Sequence, residues 1–305
     1  MAREKEETFG VEFPAIAHLL RCKLQAAAVL AIQNLGISTF GQKYLELQAI
    51  PLRAVKGGKQ VVYVSAIALK LANAWNKPVT DIATVIGANL LCGNESKDRA
   101  TNAALQNFTV KVVAPGWIYL QLNDLETAAW LQRLAQAPPG VGTLGVEEQM
   151  ERYPCPLFDA QYAHARCCSL LRLADREGMI ELAQSDPKIG SLFRAIAPHP
   201  IPWLDSDQKL RLVHPAESNL IFHLLTLLDD LYSLSPSRHQ VDWEKSASNL
   251  SQVFLTFYSQ CRIWGEVKTE NPQLAQARLG LILATQPLLH LLLQDLLGVP
   301  APLEL

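Results

Sequence analysis

The chain has 305 residues, of which 49% are hydrophobic and only 18% charged, and its 27 basic and 29 acidic side chains give a net charge of −2. This composition excludes a disordered chain, gives no whole-chain electrostatic case for nucleic acid, and at this length predicts two domains. No apolar run reads as long and clean enough for a membrane span, and MAREKEETFG lacks a signal-peptide apolar core, so a cytoplasmic protein without membrane contact is expected.

Phe13–Leu35 has helical spacing and is ended by Gly36. Val61–Val64, a β-branched run, leads into a helix over Ala66–Trp75, and Pro78 starts another over Val79–Leu91 that Cys92-Gly93-Asn94-Glu95 breaks. Phe108–Leu122 alternates around Pro115-Gly116, which predicts two strands about a turn. Asn123 is placed to cap a helix over Asp124–Ala137, and Pro138–Leu144 (PPGVGTL) reads as a linker. Beyond it the pattern predicts helices over 158–176, 179–197, 216–233, 242–264 and 272–297, separated by His199-Pro200, Ser235-Pro236 and Asn271-Pro272.

Basic residues outnumber acidic ones over 1–123, and acidic residues dominate 124–305. Because neutralised phosphates supply much of RNA affinity, the first part is the better contact surface on charge alone. The six cysteines (22, 92, 155, 167, 168, 261) form no CxxC pair and no Cys/His metal spacing, and are expected to be reduced packing residues.

The helix LFDAQYAHARCCSLLRLA (157–174) is the most informative element. Ala160, Ala163, Cys167, Leu170 and Ala174 form a small apolar stripe that allows close packing. The opposite face carries Tyr162, Arg166, Ser169, Arg172 and Arg176, a pairing of aromatic and guanidinium groups suited to stacked bases beside phosphates. The plainer alternative is an amphipathic helix whose arginines pair with Asp159, Asp175 and Glu177.

This run resembles the FxxQYAHARxxSxLRxA helix that opens the DALR anticodon-binding domain of arginyl-tRNA synthetases. Three further blocks are similar to that family in the same order: Val61–Leu90 with Thr109–Leu122, then Asn249–Glu266, then Ala277–Leu305, the last matching at Arg278, Leu281, Leu296-Leu297-Gly298, Val299 and Ala301-Pro302. The resemblance implies an α+β N-terminal domain (a small sheet with helices) over 1–136, a linker at 137–152, and an all-α helical-bundle DALR domain over 153–305. It also implies tRNA contacts: the outer corner near the D-loop for the first domain, the anticodon for the second. Carried over residue by residue, the RNA-binding candidates are Gln161, Tyr162, Arg166 and Arg172 on the first DALR helix, Tyr258 in the Phe257-Tyr258 pair, and Trp117 with Gln121 at the N-terminal turn. Tyr119 stands where the family often has Asn, Gln286 lacks the basic residue expected nearby, Pro287 intrudes into the last helix, and Leu305 replaces a terminal Met.

Only 29 residues separate Asn123 from Tyr153, where the family carries its catalytic domain, and no HIGH-type or KMSK-type signature occurs. Activation of an amino acid needs donors that hold the ATP phosphates, so no catalytic residue, metal or cofactor is expected. Gly57-Gly58-Lys59 is too short for a phosphate loop, Asp229-Asp230 reads as solvated or capping, and His164 has no convincing acid or nucleophile beside it. The expected partner is tRNA, arginine tRNA among the candidates, bound in trans by a non-enzyme, with no role for DNA. The alternative is a protein-interaction or assembly factor that reuses the scaffold, which the acidic C-terminal half favours.

Overall fold

The computed structural model describes residues 15–37, 45–58, 60–92, 105, 108–136, 157–183, 193–232 and 241–305. The expected linker at 138–144, the Ser235-Pro236 break and Cys155 lie outside them. In the first half, helix α1 (Ile16–Asn34), strands β1 (Leu52–Gly57) and β2 (Gln60–Ser65), helices α2 (Ile67–Trp75) and α3 (Val79–Cys92), strands β3 (Phe108–Val113) and β4 (Trp117–Leu122) and helix α4 (Asp124–Gln136) follow one another. The strands form one antiparallel sheet in the order β1-β2-β4-β3. Strand β1 is an addition to the sequence expectation.

Alternation explains the sheet. Ile118, Leu120 and Leu122 of β4 are buried, while Trp117, Tyr119 and Gln121 between them face the other side and are half-buried. The β3–β4 turn lies against the start of α3, because Gly116, at φ +157°, brings its backbone to where a Cβ would strike Val79. Asn123 caps α4 as expected, its Oδ1 accepting from Glu126 N at 2.8 Å.

The second half is helical: α5 (Phe158–Arg176), α6 (Pro215–Tyr232), α7 (Trp243–Gln260), α8 (Glu266–Glu270) and α9 (Pro272–His290), with a π-helical turn at Leu291–Leu296. Two expectations are corrected here. The helix expected over 179–197 is absent among the described residues; instead two short strands, β5 (Glu181–Leu182) and β6 (Ala195–Ala197), pair antiparallel. Gly178 at φ +65° ends α5, and Met179 N bonds back to Ala174 O at 2.9 Å, which turns the chain aside. The helix expected over 242–264 stops at Gln260, because Cys261 is extended and its thiol packs inward beside His214 Nδ1 at 3.4 Å. Pro287 stands inside α9 without ending it.

Helix α9 is the hub. Residues Ala277–Leu289 are all buried, enclosed by α5, α6 and α7 and, from the first half, by α4. With the turn that follows, Pro272–Leu296 is the one described helix long and apolar enough to cross a membrane, but 78% of that window is buried within the protein. Arg278 on α9 is a structural residue. Its Nε donates to buried Glu217 Oε1 at 2.6 Å, while Glu217 Oε2 accepts from His214 N at 2.8 Å and so caps α6.

Two polar clusters join the halves. Gln132 Oε1 of α4 accepts from Ile201 N (2.9 Å) and Trp203 Nε1 (2.8 Å), and Trp203 lies on Gly280 of α9. Asp229, expected to be solvated or capping, is buried at the junction and caps a helix from the other half. It accepts from Ala17 N, in the first turn of α1, at 2.9 Å and from Tyr63 Oη of β2 at 2.6 Å. Burial pushes its carboxyl up to about 7, against the pull of those two donors and of Arg21.

A Cβ at position 280 would sit 2.4 Å from Trp203 Cη2, so Gly280→Ala should destabilise the protein by about 1–3 kcal/mol in denaturant unfolding. The raised Asp229 carboxyl contributes stability that is fully present below its unfolded value near 4 and is lost as pH rises through about 7. The thermal midpoint of wild type relative to Asp229→Asn should therefore fall between pH 5 and pH 8, and a constant difference would contradict the assignment.

Candidate nucleic-acid interface

Helix α5 forms as its sequence dictates, with the small stripe Ala160, Ala163, Cys167, Leu170 and Ala174 buried against α7 and α9. His164, Ala165, Cys168 and Leu171 are buried as well, and the polar face that remains outside divides into two flanks.

One flank is open. Phe158 and Tyr162 stand one turn apart, 60% and 40% exposed, with ring centroids 6.4 Å apart and planes within 18° of parallel. An exposed pair of near-parallel aromatic rings offers flat, unfilled faces to a planar ligand. One turn further, the Arg166 guanidinium lies over the Tyr258 ring at 4.8 Å from its centroid and donates to the Tyr258 hydroxyl. Tyr258 stacks in turn on Phe254, which is fully buried. Arg166 Nε is buried and has no hydrogen-bond partner among the described residues. Stacking therefore fixes Arg166 in place, and Tyr162 remains the accessible group of the three. Phe158 belongs to this site and was missed in the sequence; its position four residues before Tyr162 was the available signal.

The other flank is covered. The segment Gly298–Leu305 crosses it as a strap without helix or strand, entered through Gly298 at φ +63°. Gln161 Nε2 donates to Pro300 O at 2.9 Å, and Arg172 Nη2 donates to Leu303 O at 2.9 Å and pairs with Glu304 Oε1 at 3.2 Å. Arg172 thus pairs with the strap and not with the acidic residues of its own helix, while Arg176 still acts electrostatically on Glu177. Asp175 accepts from Leu182 N, and Glu177 holds Lys268 and Trp264 Nε1.

His164 lies beneath the strap and is fully buried. Its Nδ1 is 2.8 Å from Pro302 O, and a carbonyl only accepts, so Nδ1 carries the proton. Nε2 then accepts from the Gln286 side-chain amide at 2.9 Å. Burial lowers the imidazole to about 4, with neighbouring His290 adding to the effect. A neutral imidazole with both nitrogens engaged inside the core is a structural pin for the strap. Gln286, where a cation was expected nearby, is fully buried in this pair.

Trp117 and Gln121 lie on β4 in the other half, apart from the α5 cluster. Gln121 donates to Gln60, whose own amide donates to Asp124 Oδ1 at 3.2 Å, so it serves an internal network. Tyr119 is paired with Lys111 and Val64 in the same cross-strand row. Among the described residues no group of three or more His, Cys, Asp or Glu side chains is arranged to hold a metal ion.

Residues 160–305 match the DALR anticodon binding domain family. Over 147 residues, 48% of the chain, it is 34% identical to an arginine-tRNA ligase of Synechococcus sp. (strain JA-3-3Ab), covering 22% of that protein. The enzymes of the same name from Gloeobacter violaceus (33% over 153 residues) and Moorella thermoacetica (35% over 156 residues) are likewise covered over 22% of their lengths. The chain thus matches about a fifth of the length of these relatives. No solved structure matches.

Histidine 15N resonances should show His164 as the neutral Nδ1-protonated tautomer, titrating with a midpoint about 4. A midpoint near the usual 6.5 would contradict the buried pin.

Proposed function

We propose, on the match of residues 160–305 to the DALR anticodon binding domain family, that this chain is a non-catalytic tRNA-binding protein acting in trans, by sequestering, delivering or sensing tRNA. The observation that carries the reading is the exposed Phe158–Tyr162 pair on the open flank of α5, beside the fixed Arg166–Tyr258 stack. Anticodon loops display unstacked bases, and aromatic faces take such bases with little regard to identity. Tyr162 is the principal contact in this reading, with Arg166 and Tyr258 supporting it. Gln161 and Arg172 act through the strap flank, and Trp117 belongs to a second contact on the N-terminal domain (residues 1–136), where Gln121 on the same strand is tied into the Gln60–Asp124 network. Arginine tRNA is the first substrate to examine, since the relatives carry that name.

The short span between Asn123 and Tyr153, and the lack of HIGH-type and KMSK-type signatures, support a role without aminoacylation. The acidic surplus over 124–305 favours a second reading, a protein-interaction factor that reuses the scaffold.

Gel shifts with total tRNA at low salt test the proposal. Wild type should bind, Tyr162→Ala should weaken binding by roughly ten- to a hundredfold, and Arg166→Glu should weaken it further. Equal shifts for all three, or none, would contradict the reading. Copurification after nuclease treatment separates the two readings, because a protein partner survives nuclease and an RNA does not.

A further inference from the structure

We propose that Ser169, Arg172 and Arg176 of α5 form a seat for an RNA phosphate, and that the chain's own Glu304 closes it. The proposal rests on the tRNA-binding reading above and concerns the covered flank of the same helix. Ser169, Arg172, Asp175, Arg176 and Glu304 line one open groove. Within it the strap already supplies the chemistry of the expected ligand: Glu304 Oε1 is 3.2 Å from Arg172 Nη2, an oxyanion on a guanidinium. The planar guanidinium fork accepts carboxylate and phosphate oxygens alike, so Glu304 stands where a phosphate oxygen would sit. Asp175 is engaged elsewhere, with one oxygen accepting Leu182 N at 2.9 Å, and it does not compete for Arg172 in the same way.

The closure is built to yield. Glu304 is 84% exposed in its side chain and Arg172 35%, and exposed ion pairs hold weakly. By contrast, the strap is anchored upstream, by Gln161 at Pro300 and by the buried His164 at Pro302. Residues 303–305, beyond that last pin, are exposed. An arriving phosphate therefore needs to displace only the Leu303–Glu304 contacts, while the strap stays seated and α5 keeps its place. The carboxylate tunes the site against weak anions and admits a ligand that also stacks on the neighbouring flank.

The test is a double-mutant cycle on the full chain, with total tRNA as probe and binding measured between low and moderate salt. Glu304→Gln should tighten binding by about two- to fivefold and leave the log–log salt slope unchanged, because the same phosphate is neutralised in both proteins. In an Arg172→Ala background the same substitution should have no effect. An unchanged thermal midpoint for Glu304→Gln confirms that folding is not the cause. If tRNA binds but Glu304→Gln changes nothing, or gives the same gain without Arg172, the phosphate seat is overturned while tRNA binding stands. If no variant binds tRNA, the functional reading falls, and this proposal with it.

Discussion

From Ala277 to Leu289 every residue of α9 is buried, and a helix without a solvent face must be enclosed on all sides. Helices α5, α6 and α7 close most of that circumference, and α4 of the first half completes it. The enclosure explains why Gly280 must stay small beneath Trp203, and why Gln132 reaches across to the Trp203 indole. It also explains the polar residues that remain inside. Arg278 is matched by Glu217, and Asp229 is matched by a helix N-terminus and a tyrosine hydroxyl, because an unmatched group there would keep its full desolvation cost. The two halves are one packed body, although the sequence divides at a proline-rich stretch.

Local patterns carried most of the fold. The α5 boundaries were legible because small residues recur at helical spacing and Gly178 follows, and β3–β4 because alternation flanks Pro115-Gly116. Misreadings arose where a distant contact overrides local spacing. Met179, Ile180 and Leu182 offer enough apolar side chains to continue a helix, yet the glycine turn diverts them into a strand pair. Cys261 ends α7 early because its thiol belongs inside, beside His214. Strand β1 has mixed polarity and exists by pairing with β2. Asp229 reads from sequence only as solvated or capping, since the partners that bury it lie 212 and 166 residues away.

The candidate site was half legible. Spacing put Tyr162 and Arg166 on the outer face of α5, but it could not reveal that Arg166 is held over Tyr258, or that Phe158 shares the exposed flank. Nor could it show that a strap some 130 residues away covers Gln161, His164 and Arg172. The result is a helix with division of labour. One flank presents flat aromatic surface, the other keeps its charge against the chain's own carboxylate, and a neutral histidine pins the strap between them. On the proposed tRNA-binding reading, the acidic half meets RNA through aromatic stacking, which itself needs no excess of positive charge.

The central claim is that tRNA lies on α5 and not merely on the basic half of the chain. Ultraviolet crosslinking of bound tRNA followed by peptide mass spectrometry tests this most directly. Crosslinks at Phe158 or Tyr162, with a second set near Trp117, are the predicted result. Crosslinks confined to the N-terminal half, or absent from Phe158–Arg176, would contradict the account.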